Sequence, residues 1–562
     1  MLALLPYANA ITAGFVFDDT PDIRENTTIT AQFDWLGILA TPLPPGNLYR
    51  PFTVLTYTVN EKLLPGAPLP FHAVNVLLHA AVTIFVWMIG RRLFAPTTAL
   101  IAAALFAVHP IHTEAVTGIV GRAELLAALF GLLTLLSAVR ADHACAPLQR
   151  GILNAVALTS FCLALLSKES AITIVPLLML FRIALRQESL ANGLRRELRS
   201  LDWAPYVFCI AAFLVLRALV VERIYPSLLD NPLSFVPTVV RIRSAVAVIW
   251  DYFGLLNLPL VLAADYSYNQ VPIASTWLAP RFLAGCALAL ISAVVVLHHR
   301  HAGVRFAAAL PFVTLAVTSN ILFPIGTIKA ERLLYLPSVG WAFAVSYLAE
   351  LGFQSRRYRA LTAVILMCMV GAFAARTWWR NCDWKDNATL YASMVNSAPN
   401  SSKAHYNLGN VLLEMNEYDN AIQQFERALV AAPWEAGPAL GLGIAYEKKG
   451  DYARGIEQYR KAIEIEPDFL KAHNNLCRLL LIAGHFDDAL AACRRGLRYR
   501  PADSNLLHGL GVSLVGSGDL EKGLAVTRRA AALASSNQHL QTFLARLERL
   551  SAEDQEEGKK EQ

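Results

Sequence analysis

Charge is scarce along this chain. Asp, Glu, Lys and Arg make up only 16% of its 562 residues, against 55% hydrophobic residues, a balance too apolar for an ordinary soluble protein. No basic tract carries interleaved aromatics, which removes the electrostatic footprint of a nucleic-acid binder. The formal net charge is a modest +6, and what matters is where the arginines fall. The eight cysteines have no metal-ligand spacing, and Cys162, Cys209, Cys286 and Cys368 lie within apolar segments, as small buried hydrophobes do. Cysteine usage therefore leaves the redox compartment open. The opening M-L-A-L-L-P-Y-A-N-A has neither the length of a crossing nor the basic flank of a signal peptide. We expect it to be the remnant of a first span that has lost its beginning, the alternative being a partly inserted N-terminal helix.

Long apolar runs are abundant up to about residue 377 and vanish after about 401. They measure about 17 to 22 residues, enough to cross a bilayer core of about 30 Å. Crossings are expected at 72–92, 97–113, 122–140, 150–167, 169–186, 203–221, 280–299, 304–323, 334–353 and 358–377, about eleven with the truncated first one. One set of loops is basic, at Arg91-Arg92, Arg140 to Arg150, Arg186 to Arg199, His298 to Arg305 and Arg356 to Arg359, and the positive-inside rule makes these cytoplasmic. Residues 237–258 are apolar but carry Arg241, Arg243 and Asp251, which suits an interfacial or re-entrant helix better than a crossing. Alternation then puts Asp18-Asp19, His109 to Arg122, Lys168-Glu169 and Gly326 to Arg332 together on the extracytoplasmic face.

The remainder is periodic. Pro399, Pro433, Pro467 and Pro501 recur every 34 residues, the tetratricopeptide period. Leu408-Gly409, Ala421, Phe425 and Ala428 recur as Leu442-Gly443, Gly455, Tyr459 and Ala462, with small residues where helices cross closely. The expected organisation is all-α: a polytopic membrane domain over 1–380, a linker over 381–400, four repeats over 401–537, and a capping helix with a charged tail over 538–562. Stacked helix pairs form a concave face suited to peptide or protein segments, or serve as a spacer.

Chemistry concentrates at the helix mouths. In F-V-F-D-D-T-P-D-I, Asp18 and Asp19 are either a helix-capping turn or a carboxylate pair that takes a proton. Arg50 follows, then His109, His112, Glu114, Arg122 and Glu124, then Lys168-Glu169, then Lys329, Glu331 and Arg332. Any single pair reads as an interhelical salt bridge; together, at one depth, they suggest a polar cavity. Arg332, Lys329 and Arg122 are the candidates to hold a lipid phosphate, because a guanidinium grips phosphate oxygens in pairs. The polar cluster around them comprises Arg50, His109, His112, Glu114, Lys168, Glu169 and Glu331. H-x-x-H at His109 and His112 is not H-E-x-x-H and has no third ligand in view, so no metal is assigned.

Across nearly its whole length the chain resembles the transmembrane and tetratricopeptide-repeat-containing O-mannosyltransferases. The resemblance is carried by F-V-F-D-D-T-P-D-I, Y-R-P-F-T-V-L-T-Y, F-H-A-V-N-V-L-L-H, H-P-I-H-T-E-A-V-T-G-I-V-G-R-A-E-L-L, S-K-E-S-A-I-T, A-E-R-L-L-Y-L-P-S-V-G and the repeats. It implies a C-type glycosyltransferase fold and a polyprenyl-phosphate sugar as donor, with no further cofactor. It also implies inversion at the anomeric carbon and a carboxylate base among Asp18 and Asp19. The expected function is transfer of mannose or a related hexose to Ser or Thr of extracytoplasmic proteins, with the acceptor held by the repeats. The rivals are a non-catalytic membrane scaffold and a ligase moving a lipid-linked glycan. Alanine- and arginine-rich usage favours a bacterial inner membrane with periplasmic repeats, the eukaryotic counterpart being a lumenal array in the endoplasmic reticulum. The sequons at Asn26 and Asn387 would matter only in that second setting.

Overall fold

A computed structural model describes residues 1–31, 33–43, 48–221 and 227–560, with side chains described to residue 553. Among them the regular secondary structure is all helix, with one isolated antiparallel bridge between Leu43 and Leu48. It divides into two compact units, Met1–Pro399 and Asn400–Gln562.

In the first unit, five helices are long and apolar enough to cross a membrane: Leu69–Leu93, Ile119–Asp142, Pro147–Ser167, Pro280–His298 and Arg359–Asp383. Two bent pairs raise the number to seven, Pro96–Val108 with Pro110–Val116, and Leu190–Ser200 with Ala204–Val220. The remaining expected crossings are shorter or interrupted. Residues 169–186 split into a 3-10 turn, Glu169–Thr173, and the helix Ile174–Leu185, while 304–323 reaches only from Ala302 to Leu315. The residues expected to interrupt an apolar run are those that do so: His109 ends one helix, Lys168 another, and Glu331 opens a 3-10 turn before Pro337–Gln354. In Thr238–Asn257, Arg243 donates to the Ala274 and Ser275 carbonyls and Asp251 pairs with Arg281, while the Arg241 Nε makes no hydrogen bond.

Leu5–Thr12 forms a 3-10 helix with Tyr7 and Ala10 buried, and it packs on Arg359–Asp383 and Leu69–Leu93. Asn381 fastens it, its amide donating to the Pro6 carbonyl at 2.7 Å.

The second unit is four antiparallel helix pairs, from Ser402–Glu414 with Tyr418–Ala431 to Ser504–Gly516 with Leu520–Leu533. Each turn residue Gly450, Gly484 and Gly518 has positive φ, a conformation that glycine adopts without a Cβ penalty. Gln538–Lys560 closes the stack, burying Leu540 and Leu547, with Leu540 beside Leu507 and Ala531. A terminal helix with a polar outer face is what such a stack requires. The four pairs also place the recurring prolines between helices, where a missing N–H costs nothing.

Candidate active site

The acidic loop is shaped by one backbone conformation. Phe17 has a φ of 52°, a left-handed value that a bulky residue adopts only when its surroundings hold it there. Those surroundings are visible: the Phe17 N–H donates to Asn387 Oδ1 at 2.9 Å, its ring meets Tyr391 edge to face, and the Gly14 N–H donates to the Lys385 carbonyl at 2.9 Å. The reversal at Phe17 sends the two aspartates to opposite fates.

Asp19 is only 1% exposed. Its Oδ2 accepts the Val16 N–H at 3.1 Å and its Oδ1 accepts the Val120 N–H at 3.0 Å, so it ties the loop to the 3-10 turn Ile119–Gly121 that opens the segment Ile119–Asp142. Burial pushes its carboxyl up to about 8, with Asp18 and Asp22 adding to the rise against the two N–H donors. Asp18 stays 36% exposed, its Oδ2 at 3.8 Å from Arg332 Nη1. Arg332 in turn lies 3.0 Å from Glu114 Oε1, and its backbone N–H donates to Glu114 Oε2 at 2.8 Å. Glu114 thus orients Arg332, and Arg332 faces Asp18. Asp22, which the sequence reading did not single out, shares this field: burial and the Asp18 charge lift it to about 7 against the pull of Arg50 and Arg332.

Around this centre the predicted residues separate into two groups. Arg50 grips Glu169 with two hydrogen bonds of 2.9 and 3.2 Å. Burial raises the Glu169 carboxyl, but Arg50 outweighs it and holds it at about 2. Lys168 pairs with Glu124, and both border a small cleft of about 20 Å³ lined by Ala127, Ala128, Ile174, Leu333 and Leu336 together with Ser170, Thr173, Thr314 and Thr318. Leu333, the residue that follows Arg332 in the chain, lines this cleft.

The other group is structural. Arg122 is fully buried, donating to Asn75 Oδ1 at 2.8 Å, Asn60 Oδ1 at 2.5 Å and the Phe71 carbonyl at 2.9 Å, with its guanidinium over the Tyr57 ring. Its hydrogen bonds go to protein groups, Thr56 included. Lys329 lies 4.4 Å over the Tyr266 ring and is also nearly buried. His109 donates from Nε2 to the Leu256 carbonyl and His112 Nε2 bonds Ser338 Oγ, both fully buried among Phe106, Trp341 and Tyr335. They stitch helices and do not reach Asp18. Glu331 accepts from the Ala263 N–H at 2.6 Å and Tyr266 Oη at 2.8 Å, while its Oε2 has no hydrogen bond; burial lifts it to about 7.

Arg380 was also missed. It is 1% exposed, yet its Nε and Nη2 make no hydrogen bond, Nη1 alone reaching Asp383 and Ser393. Its charge is felt at both Glu114 and Glu331. The signal available was an arginine directly after the last apolar run, in W-W-R-N-C-D-W.

Comparison with known proteins places these residues in a lineage. Tetratricopeptide repeat profiles match residues 379–438, 406–468 and 446–511. Protein O-mannosyl-transferase TMTC3 of Homo sapiens is 28% identical over 510 residues, covering 84% of this chain and 55% of that protein. Protein O-mannosyl-transferase TMTC4 of Homo sapiens is 30% identical over 484 residues, covering 75% of this chain and 64% of that protein. Protein O-mannosyl-transferase Tmtc3 of Drosophila melanogaster is 29% identical over 543 residues, covering 82% of this chain and 58% of that protein. The chain is similar to proteins named protein O-mannosyl-transferases. The resemblance read from its motifs is borne out, as are the all-α membrane and repeat architecture. The apolar helices fit a multi-pass membrane protein. The chain spans little more than half the length of human TMTC3 and 64% of TMTC4. Among solved structures, the crystal structure titled "YrrB: a TPR protein with an unusual peptide-binding site" is 17% identical, with a TM-score of 0.26 over 35% of this chain and 97% of that one.

Proposed function

We propose that this protein transfers mannose, or a related hexose, from a polyprenyl-phosphate donor to Ser or Thr hydroxyls of extracytoplasmic proteins. The observation that carries the reading is the juxtaposition of Asp18 and Arg332, an exposed carboxylate and an oriented guanidinium 3.8 Å apart. A hydroxyl is a weak nucleophile, and a carboxylate that accepts its proton as the new C–O bond forms lowers the barrier. Asp18 is the reachable carboxylate and takes that role. Asp19 is a positioning residue that fixes the loop, which divides between them the role that the sequence reading gave to the pair. As the acceptor oxygen attacks the anomeric carbon, the bond to the donor phosphate breaks and negative charge grows on the leaving phosphate. Arg332 supplies the compensating cation, and Arg380 with its two unengaged nitrogens is a second. One displacement inverts the anomeric configuration.

The lining of the cleft beside Leu333 suits the lipid. Its walls are aliphatic, its edge holds Lys168 and hydroxyls, and isoprene units would follow the former while the phosphate stays near the latter. The repeats supply the protein-binding element, and acceptor segments are their proposed occupants. Orientation follows the basic loops, which leaves the acidic loop on the extracytoplasmic side. The experiment is an intact-mass survey of exported proteins from cells with and without this gene. Hexose increments of Ser- or Thr-rich exported proteins that disappear with the gene support the reading, and an unchanged mass profile in cells shown to make the protein contradicts it.

A further inference from the structure

Four equivalent places in the repeat array pair a residue on the first helix of a unit with one 16 positions later on the second. In the first two units the pairs are Gly409 with Phe425 and Gly443 with Tyr459; in the fourth it is Gly511 with Thr527. The contact is tight each time: a Cβ at Gly409 would come within 2.6 Å of the Phe425 ring, one at Gly443 within 2.4 Å of the Tyr459 ring, and one at Gly511 within 2.3 Å of Thr527. The glycine exists to admit the larger side chain. The third unit departs at both positions together, with Cys477 and Cys493. Their Cα atoms are 5.4 Å apart, within the span that a disulfide bridges, and the two sulfurs are bonded. The next unit makes room as well, since a Cβ at Gly509 would lie 2.3 Å from the Cys477 sulfur, just as Gly441 makes room for Phe425.

We infer that Cys477 and Cys493 form a structural disulfide that replaces the glycine–aromatic contact of the repeat, and that the array therefore folds in an oxidising compartment. A single cysteine in place of the aromatic would leave the space between the helices underfilled, and a single cysteine in place of glycine would collide with it. The coordinated pair fills that space with a covalent bond. Both cysteines are buried. Chemically, the two thiols lose two electrons and two protons to the disulfide of an exported thiol–disulfide oxidoreductase, which leaves as a dithiol after a mixed-disulfide intermediate. Cytosolic thiol poise does not sustain such a bond. The six remaining cysteines, Cys145, Cys162, Cys209, Cys286, Cys368 and Cys382, are free thiols, so the crosslink is specific to this unit. It also supports, independently of the basic loops and of any reading of the catalytic site, an extracytoplasmic array.

The test uses full-length protein in membranes from cells acid-quenched to trap thiols, then denatured, alkylated and digested. The expected result is a peptide linking Cys477 to Cys493, two hydrogens lighter than the reduced pair, with both residues protected from alkylation unless reductant is added. The double substitution Cys477→Gly with Cys493→Phe, which restores the pairing of the first unit, should keep the array folded and abolish the reductant-dependent drop in its melting temperature seen in the parent. Near-complete alkylation of both cysteines without reductant, or a parent whose melting is indifferent to reductant, overturns the inference.

Discussion

Asp18 and Asp19 are neighbours with opposite surroundings, and the difference lies in the left-handed turn at Phe17. An aspartate whose two oxygens each accept a backbone N–H is a clamp, so Asp19→Asn should loosen the loop and lower activity through fold. Fast hydrogen exchange at Val16 and Val120 is the check. Arg332→Lys keeps the charge but loses the planar fork shared between Glu114 and the site. Turnover should fall by about 10²-fold with little change in melting temperature. Arg122→Met, by contrast, leaves the buried Asn75 and Asn60 carbonyl oxygens unpaired and should cost about 2–5 kcal/mol of stability, read as a lower melting temperature. The sequence could not separate these two arginines. Arg122 finds its partners up to 66 residues away, and whether a charge is spent inside the protein or offered to a ligand depends on that long-range packing.

At the scale of elements, the loop and the broken helix are held against each other. Asp22 keeps its proton in the folded loop to about 7, whereas in the unfolded chain it ionises at its ordinary value near 3.8. Between these values the folded state binds more protons, so the loop loses stability as pH rises from about 4 to about 7. Melting temperatures in detergent should fall across this window, and Asp22→Asn should flatten the fall. Gly121 is a second constraint: a Cβ there would lie 2.3 Å from the Ala115 carbonyl oxygen, where the chain doubles back before Ile119–Asp142. Gly121→Ala should destabilise by about 1–3 kcal/mol. The H-P-I-H-T-E-A-V-T-G-I-V-G-R run is legible as special in the sequence, but that His109 and His112 are both fully buried and bonded within the protein is not. A buried histidine bonded to a carbonyl and an exposed one at a helix mouth carry the same sequence signature.

For the molecule as a whole, the two units were legible because each obeys one strong rule: apolar length in the first and a 34-residue period in the second. The exact crossings were less so, since 3-10 turns at Glu169 and Glu331 shorten helices that hydropathy alone runs together. The sequons fall on residues already employed, Asn26 as a helix cap and Asn387 as the acceptor for Phe17, so their side-chain amides have structural duties. A chain ending at Pro399 should still transfer sugar to a short peptide while losing affinity for protein acceptors, a split that a non-catalytic scaffold does not predict. The most direct measurement is transfer of labelled mannose from polyprenyl-phosphate-mannose to an exported Ser- and Thr-rich acceptor by purified full-length protein and its Asp18→Asn variant. A loss of turnover of about 10²-fold or more with unchanged melting is the predicted result, and full turnover in a folded Asp18→Asn protein contradicts the account.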